Sequence, residues 1–270
     1  MTPTNGIQYG SGFRHGTVFE IDQTTGRLKG NSATIPYLGE TWVGAKAWNL
    51  NIPKQRRINH IDADRVAAAD FLPPTEAAGG TINVSADNMQ LDEILTGNKQ
   101  ALMGDADTIA DLTSNQGFEP LVSMMLWQQS LDSVTRLRTW RVFLIPRAKA
   151  IPMLSGFADK EVDGTYDVMM TPSSQNIFGA AMTKEEYGAT DAQLFRAMTK
   201  GRPKLAAWLG DGYVDTFTFP TDYSPAISVD SVVVYVNGVL VSAGITVTTT
   251  NVVFDTAPVA GADINIFWQY

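Results

Sequence analysis

Very few residues in this chain are of types that could do chemistry, and their spacing argues against most reactions. The two histidines, His15 and His60, have no His or Cys partner at ligand spacing, so they read as surface or interface residues rather than as a metal centre. Three carboxylate pairs stand out: Asp62 with Asp64, Asp105 with Asp107, and Glu185 with Glu186. None is followed by the spaced oxygen ligands and glycine of a calcium loop. Acid–base work would need environments that push two pKa values apart, and polar loop sequence around these pairs offers none. Ser11 lies between Gly10 and Gly12 but lacks the strand-to-helix setting of a nucleophile elbow. The early glycines do not fit dinucleotide-binding spacing, and no phosphate-cradling Lys-Ser or Lys-Thr loop occurs. Asn83-Val84-Ser85 matches a glycosylation sequon, a pattern short enough to arise by chance. The sequence therefore predicts a protein that is not an enzyme and has no cofactor and no metal.

Two basic clusters remain, Lys54 to Arg57 and the set Arg136, Arg138 and Arg141. The chain as a whole carries a formal charge of -8, so these clusters read as solvated loops and as ion pairs between subunits rather than as a grip on a polyanion. The candidate contact residues are Arg56, Arg57, Asp62, Asp64, Arg65, Asp105 and Asp107 on long polar stretches, with Arg136, Arg138 and Arg141 as intersubunit ion-pair residues.

The elements that must hold these residues are mostly strands. Alternation predicts one over Trp42–Ile52, with Trp42 and Trp48 on one face, and others over Thr17–Ile21, Thr81–Ser85, Pro120–Gln128, Thr135–Pro146 and Thr165–Thr171. The Thr135–Pro146 segment mixes basic and apolar residues on both faces, which predicts a strand facing a neighbour or a solvated interior. Ser85, Asp87, Leu91, Ile94 and Leu95 before Gly97 predict a helix. Leu194, Ala197 and Met198 before Gly201 suggest a second helix over Thr190–Lys200. Lys54–Gly80 and Gly104–Glu119 read as long loops, which in compact proteins usually serve a contact or an assembly.

Composition divides the chain. Gly210–Tyr270 contains no Lys, Arg, His or Glu but six Asp, whereas residues 1–209 hold all 20 basic groups. We read residues 1–209 and 210–270 as separately built domains. In the second, Asp215–Pro220 alternates Thr and Phe, and Asn237-Gly238 between apolar runs is a hairpin signal because both positions accept positive φ. The rest of its pattern completes a small antiparallel β-sandwich of five or six strands. With no cysteine, neither disulfides nor thiolate metal sites are available. No run is apolar for long enough to span a membrane, and the start lacks the pattern of a secretory signal, so synthesis is expected in the cytoplasm.

The order of features carries a resemblance. The Trp42 and Trp48 segment, the basic Lys54–Arg57 turn, Asp64–Thr75, the strand at Thr81–Ser85, the helix ending at Leu95-Thr96-Gly97, Gln116–Pro120 and Arg138–Pro146 together resemble a major tail tube protein of long-tailed (siphovirus-type) bacteriophages. The resemblance covers about residues 12–210. Asp230–Gly238 followed by Phe254–Pro258 and Gly261 is similar to a small β domain that recurs on phage tail and tail-fibre proteins.

This resemblance implies a mainly β fold: a β-sandwich or partial barrel with one flanking helix, plus the small carboxy-terminal β-sandwich on the exterior. It implies hexameric rings stacked into a hollow tube in the virion tail. Its partners would be other copies of the chain, tape-measure, tail terminator and baseplate proteins, and double-stranded DNA in transient, non-specific passage. Removing residues 211–270 should then leave the tube intact. The alternative implied by the terminal module is a baseplate or receptor-binding tail protein.

Overall fold

A computed structural model describes residues 8–42, 45–51, 56–62, 65–72, 79–84, 89–97, 101–103, 107–109, 120–132, 137–153, 164–171, 173, 175–181 and 195–270. The elements before residue 200 are β1 (Gln8–Glu20), β2 (Glu40–Thr41), β3 (Ala45–Asn51), β4 (Arg56–Asp62), β5 (Arg65–Leu72), β6 (Gly79–Val84), α1 (Met89–Thr96), β7 (Ala101–Met103), β8 (Asp107–Ile109), β9 (Val122–Asp132), β10 (Arg138–Met153), β11 (Gly164–Met170) and β12 (Phe195–Thr199). After it come β13 (Pro203–Leu209), β14 (Thr216–Thr218), β15 (Val233–Val236), β16 (Val239–Val241), β17 (Ile245–Val247), β18 (Asn251–Phe254) and β19 (Asp263–Gln269).

The fold is mainly β, and every strand pairing among the described residues is antiparallel. Three sheets of three or more strands form it. The largest runs β2-β1-β9-β10-β11-β6-β3, with β12 also on β10; the others run β13-β19-β15-β16 and β14-β18-β17. No barrel closes among the described residues.

Alternation along the strands stacks these sheets. On β9, Val122, Met124 and Leu126 point into one core with Trp42, Ile82, Val84 and Ile145. Helix α1 covers that core with Leu91 and Leu95, and the Tyr166 hydroxyl donates to Asp92 Oδ1 at 3.0 Å. Gly97 ends α1 at φ 73°, where its N–H donates to the Glu93 carbonyl at 2.9 Å. Met125 and Trp127 point the opposite way, into a second core with Phe19, Ile21, Val142, Leu205 and Ala207. Leu205 and Ala207 belong to β13, whose alternate residues Ala206 and Trp208 enter a third core with Phe217, Val252 and Phe254. β13 is thus buried on both faces, as its uninterrupted run Leu205–Leu209 requires.

Several expectations hold. The Asn237-Gly238 turn has φ 51° and 77° and joins β15 to β16. Phe217 and Phe219 are buried while Thr216 and Thr218 are exposed. The helix lies where Leu91, Ile94 and Leu95 place it; its expected cap, Ser85, lies outside the described residues.

Others are corrected. Phe195–Thr199 is a strand, not part of a helix, and pairs with Trp140–Leu144 of β10. A helix of this length is marginal in isolation, whereas the β10 edge supplies ladder partners the local sequence does not reveal. The stretch Lys54–Gly80 is not a plain loop, because β4 and β5 pair from Arg56↔Leu72 to Asp62↔Arg65. In Gly104–Glu119, Asp107–Ile109 pairs with Ala101–Met103. Trp42 precedes its expected strand, which begins at Ala45. Along its middle, β10 faces dry cores of its own chain on both sides, with Val142 in one and Ile145 in the other. The carboxy-terminal sheet covers the second face.

Candidate functional site

Two places gather polar groups among the described residues: the seam between the large sheet and the carboxy-terminal sheets, and the amino-terminal end of β10. The seam begins with a short arm after β1. Tyr37 and Ala207 exchange both backbone hydrogen bonds, at 2.7 and 2.9 Å, and the Leu209 N–H donates to the Ser32 carbonyl at 3.2 Å. The arm thereby covers the outer edge of β13, an edge that would otherwise be open to other chains.

A second clamp comes from residues 175–181. Ile177 is buried in the second core, and the Phe178 ring stacks on Tyr235 with centroids 4.5 Å apart and 7° between planes. The Asn237-Gly238 turn tucks beneath it: a Cβ on Gly238 would lie 2.3 Å from the Gly179 carbonyl oxygen. Nearby, Arg27 Nη1 stands 3.6 Å from Asp263 Oδ2. Burial pushes the Asp263 carboxyl up, and the Arg27 guanidinium opposes it.

Lys204 is the unusual group of the seam. It is 5% exposed; its ammonium lies 4.1 Å from the Tyr223 ring centre and donates to the Leu38 carbonyl at 3.4 Å. Desolvation lowers its pKa to about 8, with Glu40 pulling the other way. Beside it, a cleft of about 510 Å³ is lined by Glu20, Lys29, Tyr37, Glu40, Glu93 and Ile94 among others. Lys29 Nζ holds Glu20 Oε2 at 3.1 Å. The Tyr37 hydroxyl accepts from the Glu20 N–H at 3.2 Å, and burial raises its pKa, so it stays protonated. The cleft can hold a side chain.

At the other place, β9 and β10 set Thr139 opposite Ser130 and Arg141 opposite Gln128, on the face shared with Phe143 and Ile145. Apolar rows give way here to polar ones. Ser130 Oγ, Thr139 Oγ1 and Arg141 Nε are buried without hydrogen-bond partners. Arg138 is exposed, and neither it nor Arg141 is among the ion pairs of the described residues.

The sequence-predicted contact residues fall as follows. Arg56, Arg57, Asp62 and Arg65 lie on the β4–β5 ribbon, with Asp62 and Arg65 in register at its end, and Asp107 lies on β8. Asp64, Asp105 and Arg136 lie outside the described residues, as do Glu185 and Glu186. His15 stacks on Trp127, with centroids 5.5 Å apart. No cluster of three or more metal-ligating side chains occurs among the described residues. Sequence reasoning missed the whole seam. Its one available signal was the apolar run beginning at Leu205, which marks a strand covered on both faces. No family model matches the chain, and neither does any curated protein.

Proposed function

We propose that the chain is a structural subunit of a phage tail tube, in which copies close into rings, six in the resembling family, and the rings stack into a hollow tube for DNA delivery. In this reading the large sheet and α1 form a partial-barrel wall, and the carboxy-terminal β-sandwich rides outside it. The chain binds its own copies and carries no reaction.

The observation that supports this reading best is the contrast in coverage across the molecule. β4–β5 and β7–β8 pair only within themselves among the described residues, and β1 from Gln8 to Arg14 has a ladder partner on one side only. A two-stranded ribbon is marginal alone in water, and an open edge seeks a strand. Contacts that repeat head to tail between copies satisfy both needs and generate rings or filaments. Two-sided burial of β13 fixes the carboxy-terminal sheets to the wall.

Electron microscopy of the purified chain over a range of concentrations tests this. Rings and tubes of uniform diameter are expected. A second reading, a baseplate or receptor-binding tail protein, draws on the 90% exposed Tyr213 and the 70% exposed Val259 at one end of the sandwich, and would give closed trimers instead. Monomers at every concentration would overturn both.

A further inference from the structure

The two ends of the layer formed by β1, β9 and β10 carry opposite charge. At one end Glu20 lies opposite Val122, and the cleft of about 510 Å³ opens between the arm after β1, α1 and the start of β9. The carboxylates of Glu20, Glu40 and Glu93 line it against a single ammonium, that of Lys29. Lys29 is taken by Glu20, whereas neither Glu40 nor Glu93 has an ion pair among the described residues. Ile21, Ile94 and Leu121 add apolar wall. Such a cleft favours a long side chain that is apolar along its stem and cationic at its tip.

The other end offers that chemistry. Arg138 begins β10 opposite Leu131, nine residues along β9 from Val122, which places it about 30 Å from the cleft along the strands. Leu137 beside it is 66% exposed. Lys200 follows Thr199, the ladder partner of Trp140, and the Arg202 guanidinium stands 5.4 Å over the Trp140 ring. Arg138, Lys200 and Arg202 are all exposed, and none has an ion pair among the described residues. The strands hold cations and carboxylates apart within one copy, so they meet only between copies.

We propose that the cleft receives Arg138 of a second copy, with Glu93 and Glu40 as the partners of its guanidinium and Leu137 against the apolar wall. This rests on the homo-oligomer reading above and names the two surfaces that meet. Because they lie at opposite ends of the same strands, the contact repeats head to tail. Lys200 and Arg202 add attraction at the rim, where charge sets the rate and register of encounter. Glu40 and Glu93 are half-buried, so salt screens the pair less than it would on an open surface.

The chain has no cysteine, so introduced thiols report this contact without background. The full chain carrying both Arg138→Cys and Glu93→Cys should give, on mild oxidation, a non-reducing gel ladder of dimers, trimers and longer species, since each copy links at both ends. A disulfide within one copy would need Cα atoms within about 7 Å, far less than the separation of the two ends. Either single-cysteine variant should stay monomeric on the same gel. Arg138→Glu and Glu93→Lys are each expected to raise the concentration needed for assembly by at least about tenfold, read by sedimentation, and together to recover most of the loss. A merely structural role for either residue would not give that recovery. Glu93→Gln, whose melting curve should match the parent's, separates lost contact from lost fold. Dimers from a single-cysteine variant as abundant as the ladder, or a charge pair no better than its worse member, overturn the proposal. So does normal assembly of Glu93→Lys together with a melting temperature raised by spermidine in the parent but not in that variant, which would give the cleft to a free polyamine. If the parent never assembles, the homo-oligomer reading falls and this pairing with it; if the parent assembles and the double-cysteine chain gives no ladder, only this pairing falls.

Discussion

The large sheet and the carboxy-terminal sheets solve the same problem, burying alternating strands and sharing one core between them, but they differ in how they satisfy their buried polar atoms. Of the buried side-chain polar atoms left without partners, all but Asn265 Oδ1 belong to residues up to Thr171. In the carboxy-terminal sheets the polar groups close locally. Asp211 Oδ1 accepts from the Tyr213 and Val214 N–H groups, both at 2.8 Å, which holds its carboxyl below the usual range. Thr248 accepts from the Thr250 and Asn251 N–H groups at 3.1 and 3.0 Å. The charged contacts of these sheets lie at the seam instead, where Lys204 of β13 donates to the Leu38 carbonyl and Asp263 of β19 faces Arg27. Among the described residues the larger region leaves donors, ribbons and edges unfinished.

The comparison breaks most severely if the two regions prove separable. Deleting residues 210–270 removes β19 from β13, bares Ala206 and Trp208 by taking away the core they share with Phe217, Phe254 and Trp268, and leaves β13, which brings Leu205 and Ala207 to the core of Phe19, Met125 and Trp127, without its ladder partner. Each large apolar side chain so exposed loses about 1.5–3 kcal/mol, and together they rival the 5–15 kcal/mol by which domains of this kind are stable. The truncated chain should lose its cooperative melting transition. The expectation drawn from the sequence, that the remainder assembles unaided, predicts the opposite result. A truncated chain with a sharp melt and intact near-ultraviolet dichroism would show the seam to be ornamental.

Single core residues come next. Trp268 is fully buried, stacks on Phe219 at 4.6 Å and donates its Nε1 hydrogen to the Tyr223 carbonyl at 2.6 Å, so Trp268→Ala should cost about 3–5 kcal/mol in urea unfolding. Because β13 couples the layers, that loss should appear as one shifted transition; two separated transitions would restore the picture of independent domains. Gly238→Ala should cost about 2–3 kcal/mol, since it forces a side chain into positive φ and against the Gly179 backbone. If the cost is only that of the turn, about 1 kcal/mol, the 175–181 clamp contributes little.

How much of this was legible follows from the distance over which each feature is decided. The β15–β16 hairpin could be read because Asn237-Gly238 and its flanking valines settle it within a few residues. The Phe217 and Phe219 face and α1 with its Gly97 stop are equally local. β12 was misread because Leu194, Ala197 and Met198 fit a helical spacing, while the decisive partner, the edge at Trp140–Leu144, is about fifty residues away. Arg141 was singled out for its charge, but its unpartnered neighbours Ser130 and Thr139 look ordinary until the β9–β10 register places them together. The clamp by Phe178 left no trace in the sequence, because one aromatic residue in a polar stretch has no periodicity to announce it.

Lys204 gives the smallest effect but tests the seam with a sign as well as a size. Its pKa falls from 10.5 to about 8 on folding, so between those values the unfolded chain binds the extra proton and the folded chain does not. Stability must therefore rise with pH through that window and fall back as pH drops through about 8. The penalty carried below pH 8 is of order 1–3 kcal/mol after allowance for the Tyr223 ring and the Leu38 carbonyl, which compensate part of the buried charge. Tyr37, Tyr223 and Tyr235, whose hydroxyls are raised by burial, work in the opposite direction once the pH passes about 10. The useful interval is thus pH 8 to 10, and the useful quantity is the difference from Lys204→Met, which keeps the aliphatic stem and removes the titration. Urea midpoints of the parent should climb toward those of the methionine variant across that interval and lie below them at pH 7. If the parent is the more stable protein at pH 7, the ammonium is held more strongly by Tyr223, Leu38 and Glu40 than it is penalised by burial, and the seam is an electrostatic joint rather than an apolar one.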